Sequence, residues 1–209
     1  MSGFGFEGFG TVHDVAIEAY TSAYRVSGHM KTRFTRVADI LNQNTGAHLV
    51  IDEATIGEHG DPAPPQRVPQ ALVPLNEVLV VLLTDQPGEG AVQGSGDHMR
   101  IPKRGVRAQL GLPPFRLTGT IYVPQGSRPM DGLLNVPDRF LPMTDAAITS
   151  AAHPQLNRES AVVALARDRA QVLIVADDER PDELLAEVLD EATAEAWLRS
   201  GQGHPGAEG

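Results

Sequence analysis

The sequence predicts a mainly β protein: two tandem small antiparallel β-barrels followed by a C-terminal amphipathic helix. Three observations point there. The chain has 209 residues with 16 Pro, 21 Gly and only 5% aromatics, so turns are frequent and the core must come from Val, Leu, Ile and Ala. Apolar and polar residues alternate over long stretches, the period of a half-buried strand. Four blocks recur in the same order, at an offset of about 90 to 93 residues.

The duplication orders the rest. "YRVSGHM" at 24–30 matches "FRLTGTI" at 115–121, aromatic, Arg, branched apolar, hydroxyl and Gly in turn. "RVADILN" at 36–42 matches "RPMDGLLN" at 128–135, with one extra residue in the second copy. "HLVIDEATI" at 48–56 matches "FLPMTDAAI" at 140–148 and aligns His48 with Phe140 as a partly buried strand position. "ALVPLNEVLVVLLTD" at 71–85 matches "AVVALARDRAQVLIVADD" at 161–178. Each unit spans about 70–75 residues and five strands.

Within each unit, the first alternating stretch reads as one long strand bent in the middle, at "TSA" in one copy and "PP" in the other. Leu49 and Ile51, or Leu141 and Met143, mark the next strand. The last block reads as a hairpin, its arms flanking "NE" or "ARDR". A small sheet of that kind, with Gly where it must bend, removes its edges by curling into a barrel. The expected organisation is an arm at 1–10, a first repeat at 11–86, a Gly-rich linker at 87–98, a second repeat at 99–179, a helix at 180–200 and a tail at 201–209.

The stretch "QPGEGAVQGSGDH" at 86–98 holds glycines after an apolar strand, but its spacing is GxGxxxGxG and no helix pattern follows, so it reads as a linker. The helix is signalled by Leu185, Leu189, Ala192 and Ala196 on one face, Pro181 in the first turn and Gly201 beyond the end. Its apolar stripe must dock on its own barrel or on a neighbouring subunit. The first ten residues carry three of the six Phe and read as a mobile arm or an aromatic anchor.

Charge and composition narrow the function. The formal net charge is −10, with five basic and nine acidic residues at 11–87, eleven and nine at 97–180, and one and seven at 181–209. That balance argues against a generic nucleic-acid binder. The local basic cluster is Arg100, Lys103, Arg104 and Arg107, read as a charged strand edge or an anion contact. There is no cysteine, which removes disulfides, zinc–thiolate sites and thiol nucleophiles. The longest apolar run, "VLVVLL" at 78–83, is the length of a buried strand rather than a membrane span. "MSGFGFEGFG" has neither a basic region nor an apolar core segment, so a cytoplasmic location is the expectation.

In the second copy, "GTI", "MDGLLN" and "FLPMTDA" run Gly-x-apolar, Asp-x-x-Leu-Asn and Leu-x-Met-x-Asp-Ala. This pattern resembles the first motif of Sm-like (SH3-type) barrel proteins. The chain is also similar to bacterial proteins that share an R-x-x-D-x-L-N signature. The Sm resemblance implies a loop whose residues contact RNA bases at the pore of a six- or seven-membered ring. It makes Asp131 and Asn135 base contacts, and Asp39 and Asn42 their counterparts, beside Arg36 and Arg128. Where the family carries apolar-Arg-Gly in its second motif, this chain has "ARD" at 166–168 and "LNE" at 75–77.

Read from the residues alone, the same signature is a mechanical device. Arg36 or Arg128 starts a turn, the Asp caps its N–H groups, Leu fills the barrel end, and Asn42 or Asn135 holds the exit by bonding backbone. Glu58, His59 and Asp61 in "GEHGDP" raise a remote alternative, a metal-dependent hydrolase, although one loop does not supply a full ligand set. No GxSxG elbow or repeated carboxylate pair suggests catalysis. The leading expectation is a non-enzymatic binding or assembly module without cofactor or bound metal. It would self-associate through a barrel edge or the 181–199 helix, or bind a protein partner. RNA or nucleotide binding through the Asp-x-x-Leu-Asn loops and the Arg100–Arg107 patch is the alternative.

Overall fold

A computed structural model describes residues 11–84 and 102–175. The arm, the linker, the C-terminal helix, the tail and Arg100 lie outside the described residues.

The first repeat forms β1 (His13–Tyr20), β2 (Tyr24–Thr32), α1 (Val37–Asn42), β3 (His48–Glu58), β4 (Gln66–Pro74) and β5 (Val80–Leu83). The second forms β6 (Lys103–Leu112), β7 (Phe115–Pro124), α2 (Pro129–Leu134), β8 (Phe140–Thr149), β9 (Arg158–Ala166) and β10 (Val172–Val175). Short 3-10 turns lie at Pro154–Leu156 and Arg167–Arg169. All ten strands belong to one antiparallel sheet in the order β10-β6-β7-β8-β9-β5-β1-β2-β3-β4. Each repeat contributes five strands in the same internal order: last, first, second, third, fourth.

The two halves form one continuous sheet rather than two separate barrels, and among the described residues that sheet is not closed: β4 does not pair with β5, nor β9 with β10. β5 pairs with β1 of its own repeat and with β9 of the other. The registers are Val80↔Leu165, Val81↔Ala164 and Leu82↔Val163. Leu79 extends this ladder, donating its N–H to the Tyr20 carbonyl and accepting from the Ala166 N–H. The junction strands are buried on both faces. Val80, Leu82, Val163 and Leu165 face the core of the second repeat. Val81, Ala164 and Ala166 face the core of the first. This is why "VLVVLL" and "AVVALA" read as continuous apolar runs, while outer strands alternate.

Two expectations are corrected. The stretch from Val15 to Met30 is a hairpin of two paired strands, not one bent strand. Its turn is closed by the Thr21 N–H to the Tyr24 carbonyl and by the Tyr24 N–H to Thr21 Oγ1. β6 and β7 are paired likewise around Pro113–Pro114. Nor is the last block a hairpin: β4 pairs with β3 while β5 joins β1 and β9, and β9 and β10 diverge in the same way. The connections turn over the core, anchored in the first repeat by buried Leu75, Val78 and Leu79.

Bending recurs at matching places. β2 shifts register against β3 between Ser27 and His29, and β7 against β8 between Thr118 and Thr120. Opposite these bulges, Glu53 and Asp145 take positive φ of 50° and 49°. Gly28 and Gly119 sit at the bends because a Cβ there would meet the Asp52 carbonyl oxygen at 2.5 Å or Met143 Cγ at 2.6 Å.

Candidate functional site

The signature segments are the two short helices. Arg36 and Arg128 occupy the N-cap positions, neither giving a side-chain cap. Asp39 and Asp131 lie in the first turns, at the positive end of the backbone dipoles. Leu41 and Leu133 are buried, as the mechanical reading requires. The helices superpose from the arginine onward, because Ile40 N–H bonds Arg36 O where Gly132 N–H bonds Arg128 O. The C-caps are Gln43 and Asn135. The extra residue of the second copy therefore matters: Leu134, not Asn135, stands where Asn42 stands in the first.

The two asparagines do different things. The Asn42 amide donates from Nδ2 to the Phe140 carbonyl at 2.8 Å and accepts from the Phe140 N–H at Oδ1, also at 2.8 Å. It grips the backbone of β8 from the other repeat. Helix α1 packs on β8 and β9, so the first signature is spent on the repeat junction. A groove of about 470 Å³ opens beside it, between Leu41, Asn42, Leu75, Arg139 and Phe140. Asn135 instead donates to the Asp131 carbonyl of its own helix at 2.9 Å and is exposed. Arg36, Asp39, Arg128 and Asp131 are exposed as well. His48 is exposed, unlike its buried counterpart Phe140.

The basic cluster splits across a strand. Lys103 and Arg107 are exposed on one face of β6. Arg104 is half-buried on the other and donates to the Ser127 carbonyl at 3.2 Å. Arg107 shares its groove with Asp145 and Glu159, which offset its charge.

A second polar group at the junction gave no signal in the sequence. Glu18 of β1 is buried. Arg158 of β9 donates to its Oε1 at 2.6 Å and to the Tyr20 hydroxyl at 3.0 Å. The Tyr20 hydroxyl also donates to Glu18. Burial, and then the bond to Glu18, pushes the Tyr20 pKa up to about 12. Beside it, Phe115 meets both Tyr20 and His59 edge-on, Tyr20 and His59 are tilted against each other, and His153 lies 5.5 Å from His59 between ring centroids. Burial lowers the His59 pKa, and its Nε2 faces the Thr21 carbonyl at 3.1 Å. Asp61 accepts the Ala63 N–H across a turn. Among the described residues no three His, Asp or Glu side chains converge as a metal would need.

Two polar side-chain clamps thus stand at the ends of the β5–β9 ladder: Asn42 on Phe140 at one end, and Glu18 and Tyr20 on Arg158 at the other. Arg169 adds a more exposed contact between the repeats, donating to the Asn76 carbonyl and lying 3.8 Å from Glu77 Oε1. Among the described residues no helix is long and apolar enough to cross a membrane. No protein family, curated protein or solved structure matches the chain.

Proposed function

We propose that the protein is a non-enzymatic, self-associating assembly module, whose two five-stranded repeats are units of Sm-like or SH3-like type joined through one sheet. The observation that carries this reading is the use of the first signature. Asn42, in the position where a ligand contact was expected, holds the backbone of the neighbouring repeat. The segment is a device for joining one repeat to the next. The ion pair at the far end of the ladder serves the same end, since Glu18 and Arg158 are matched to each other across the two repeats. Multi-angle light scattering tests the reading at tens of micromolar. A mass above that of the 22.4 kDa chain is expected, and a strict monomer overturns it.

A second reading, single-stranded RNA binding, is favoured by the exposure of Arg128, Asp131 and Asn135 on α2. It requires salt-sensitive binding, because phosphate contacts release counterions. The absence of any shift with an oligonucleotide at low salt excludes it.

A further inference from the structure

We propose that the chain associates head to tail, with β10 of one copy pairing antiparallel with β4 of the next in the register of the internal β5–β9 junction. This rests on the assembly reading above and specifies its surface. The internal junction joins the last strand of one repeat to the fourth strand of the other. The same two strand types, β10 and β4, end the sheet, each with a single paired neighbour among the described residues. Antiparallel registers within the repeats equate Val80 with Val172, and Pro74 with Ala166, both at an offset of 92. Applying the internal junction to the two outer strands sets Val172 opposite Val73, Leu173 opposite Leu72, and Ile174 opposite Ala71 of the next copy.

The exposed apolar side chains fall where this pairing needs them. Leu72 is 61% exposed, while its counterpart Ala164 is fully buried in the junction. Val172 is 55% exposed, while its counterpart Val80 is fully buried. Leu134, 69% exposed, replaces the junction residue Asn42 and would lie over His48 of the next copy, the counterpart of Phe140. Leu72 lies at one edge of the sheet and Val172 and Leu134 at the other, so the pairing brings together apolar side chains that the two edges of a single copy leave exposed.

The charges agree. The positions equivalent to Glu18 and Arg158 are Gln109 and Gln66. The internal ion pair becomes an amide pair at the outer junction, so these two positions bring no charge that needs a partner. The difference also separates the two junctions, since a β4 edge carrying Gln66 offers Glu18 no cation. A contact between different surfaces closes into a ring if its rotation allows, and otherwise extends.

The cysteine-free chain permits a direct test. Full-length L72C and L173C are prepared separately, one carrying a mass tag, and treated with a short bis-maleimide alone and mixed. The mixture is expected to give the mixed dimer, and neither variant alone a dimer. Self-linked dimers of either variant overturn the polarity, because they require like edges to meet. Association by light scattering without the mixed product overturns this surface but leaves self-association standing. A monomer without any product overturns both. As a second check, Leu134→Asp, a solvent-facing change in the single chain, should weaken association about tenfold or more by burying an unpaired carboxylate. Unchanged association with an unchanged melting curve overturns the seating of α2.

Discussion

Replacing Asn42 with alanine removes two hydrogen bonds at once, both to the backbone of Phe140, which is 1% exposed. The backbone groups left behind lose their partner for that direction. An unsatisfied buried donor or acceptor costs about 1–3 kcal/mol. Because the adjacent groove admits water to one side, the lower half of that range applies to each group, and the sum is about 2–4 kcal/mol. The same change at the asparagine of the second signature, Asn135→Ala, breaks one exposed bond within α2 and should cost about 0.5 kcal/mol or less. Urea unfolding followed by circular dichroism measures both. If the two variants lie within about 0.5 kcal/mol of each other, the assignment of Asn42 as a junction clamp is refuted.

Three further outcomes follow from the same geometry. Gly28→Ala and Gly119→Ala should each lower stability by about 3 kcal/mol or prevent folding, while Gly126→Ala, at φ 87° with open space around it, should cost about 1 kcal/mol; thermal melts rank the three. Arg158→Gln should destabilise by about 3 kcal/mol because Glu18 is then buried without a cation, and adding Glu18→Gln should recover most of the loss by leaving an uncharged amide pair; a double-mutant cycle with no coupling contradicts this. The raised pKa of Tyr20 makes its neutral form part of the fold, so stability present below pH 10 should fall by about 2–3 kcal/mol as pH rises to about 12. Tyr20→Phe should remove that slope, as read from urea midpoints between pH 9 and 12.

The β class, the five strands per repeat and the equivalence of the two halves were legible because burial imposes period two and duplication preserves it. Gly28 and Gly119 mark the bends for the same reason. Strand partnership was not legible. Nothing local distinguishes a hairpin from two strands that part company. The turn at Leu75 separates its strands through burial of Leu75, Val78 and Leu79, whereas the turn at Arg167 has no buried residue and is tied down by the Arg167 guanidinium on the Leu133 and Val136 carbonyls. The one signal was the uninterrupted run at 78–83, which burial on both faces explains. Asp-x-x-Leu-Asn was found as a motif, but aligning it on asparagine paired Asn42 with Asn135. Helix geometry pairs Asn42 with Leu134, and that shift separates a backbone clamp from an exposed apolar side chain. Glu18 and Arg158 lie 140 positions apart, and no spacing rule connects them.

Amide hydrogen exchange, followed by mass spectrometry at low and high protein concentration, reads the two outer strands themselves. Protection at 66–74 and at 172–175 should rise together with concentration, while β5 and β9, already paired within the chain, stay unchanged. Exchange at both edges that is independent of concentration, or protection gained by one edge alone, contradicts head-to-tail assembly.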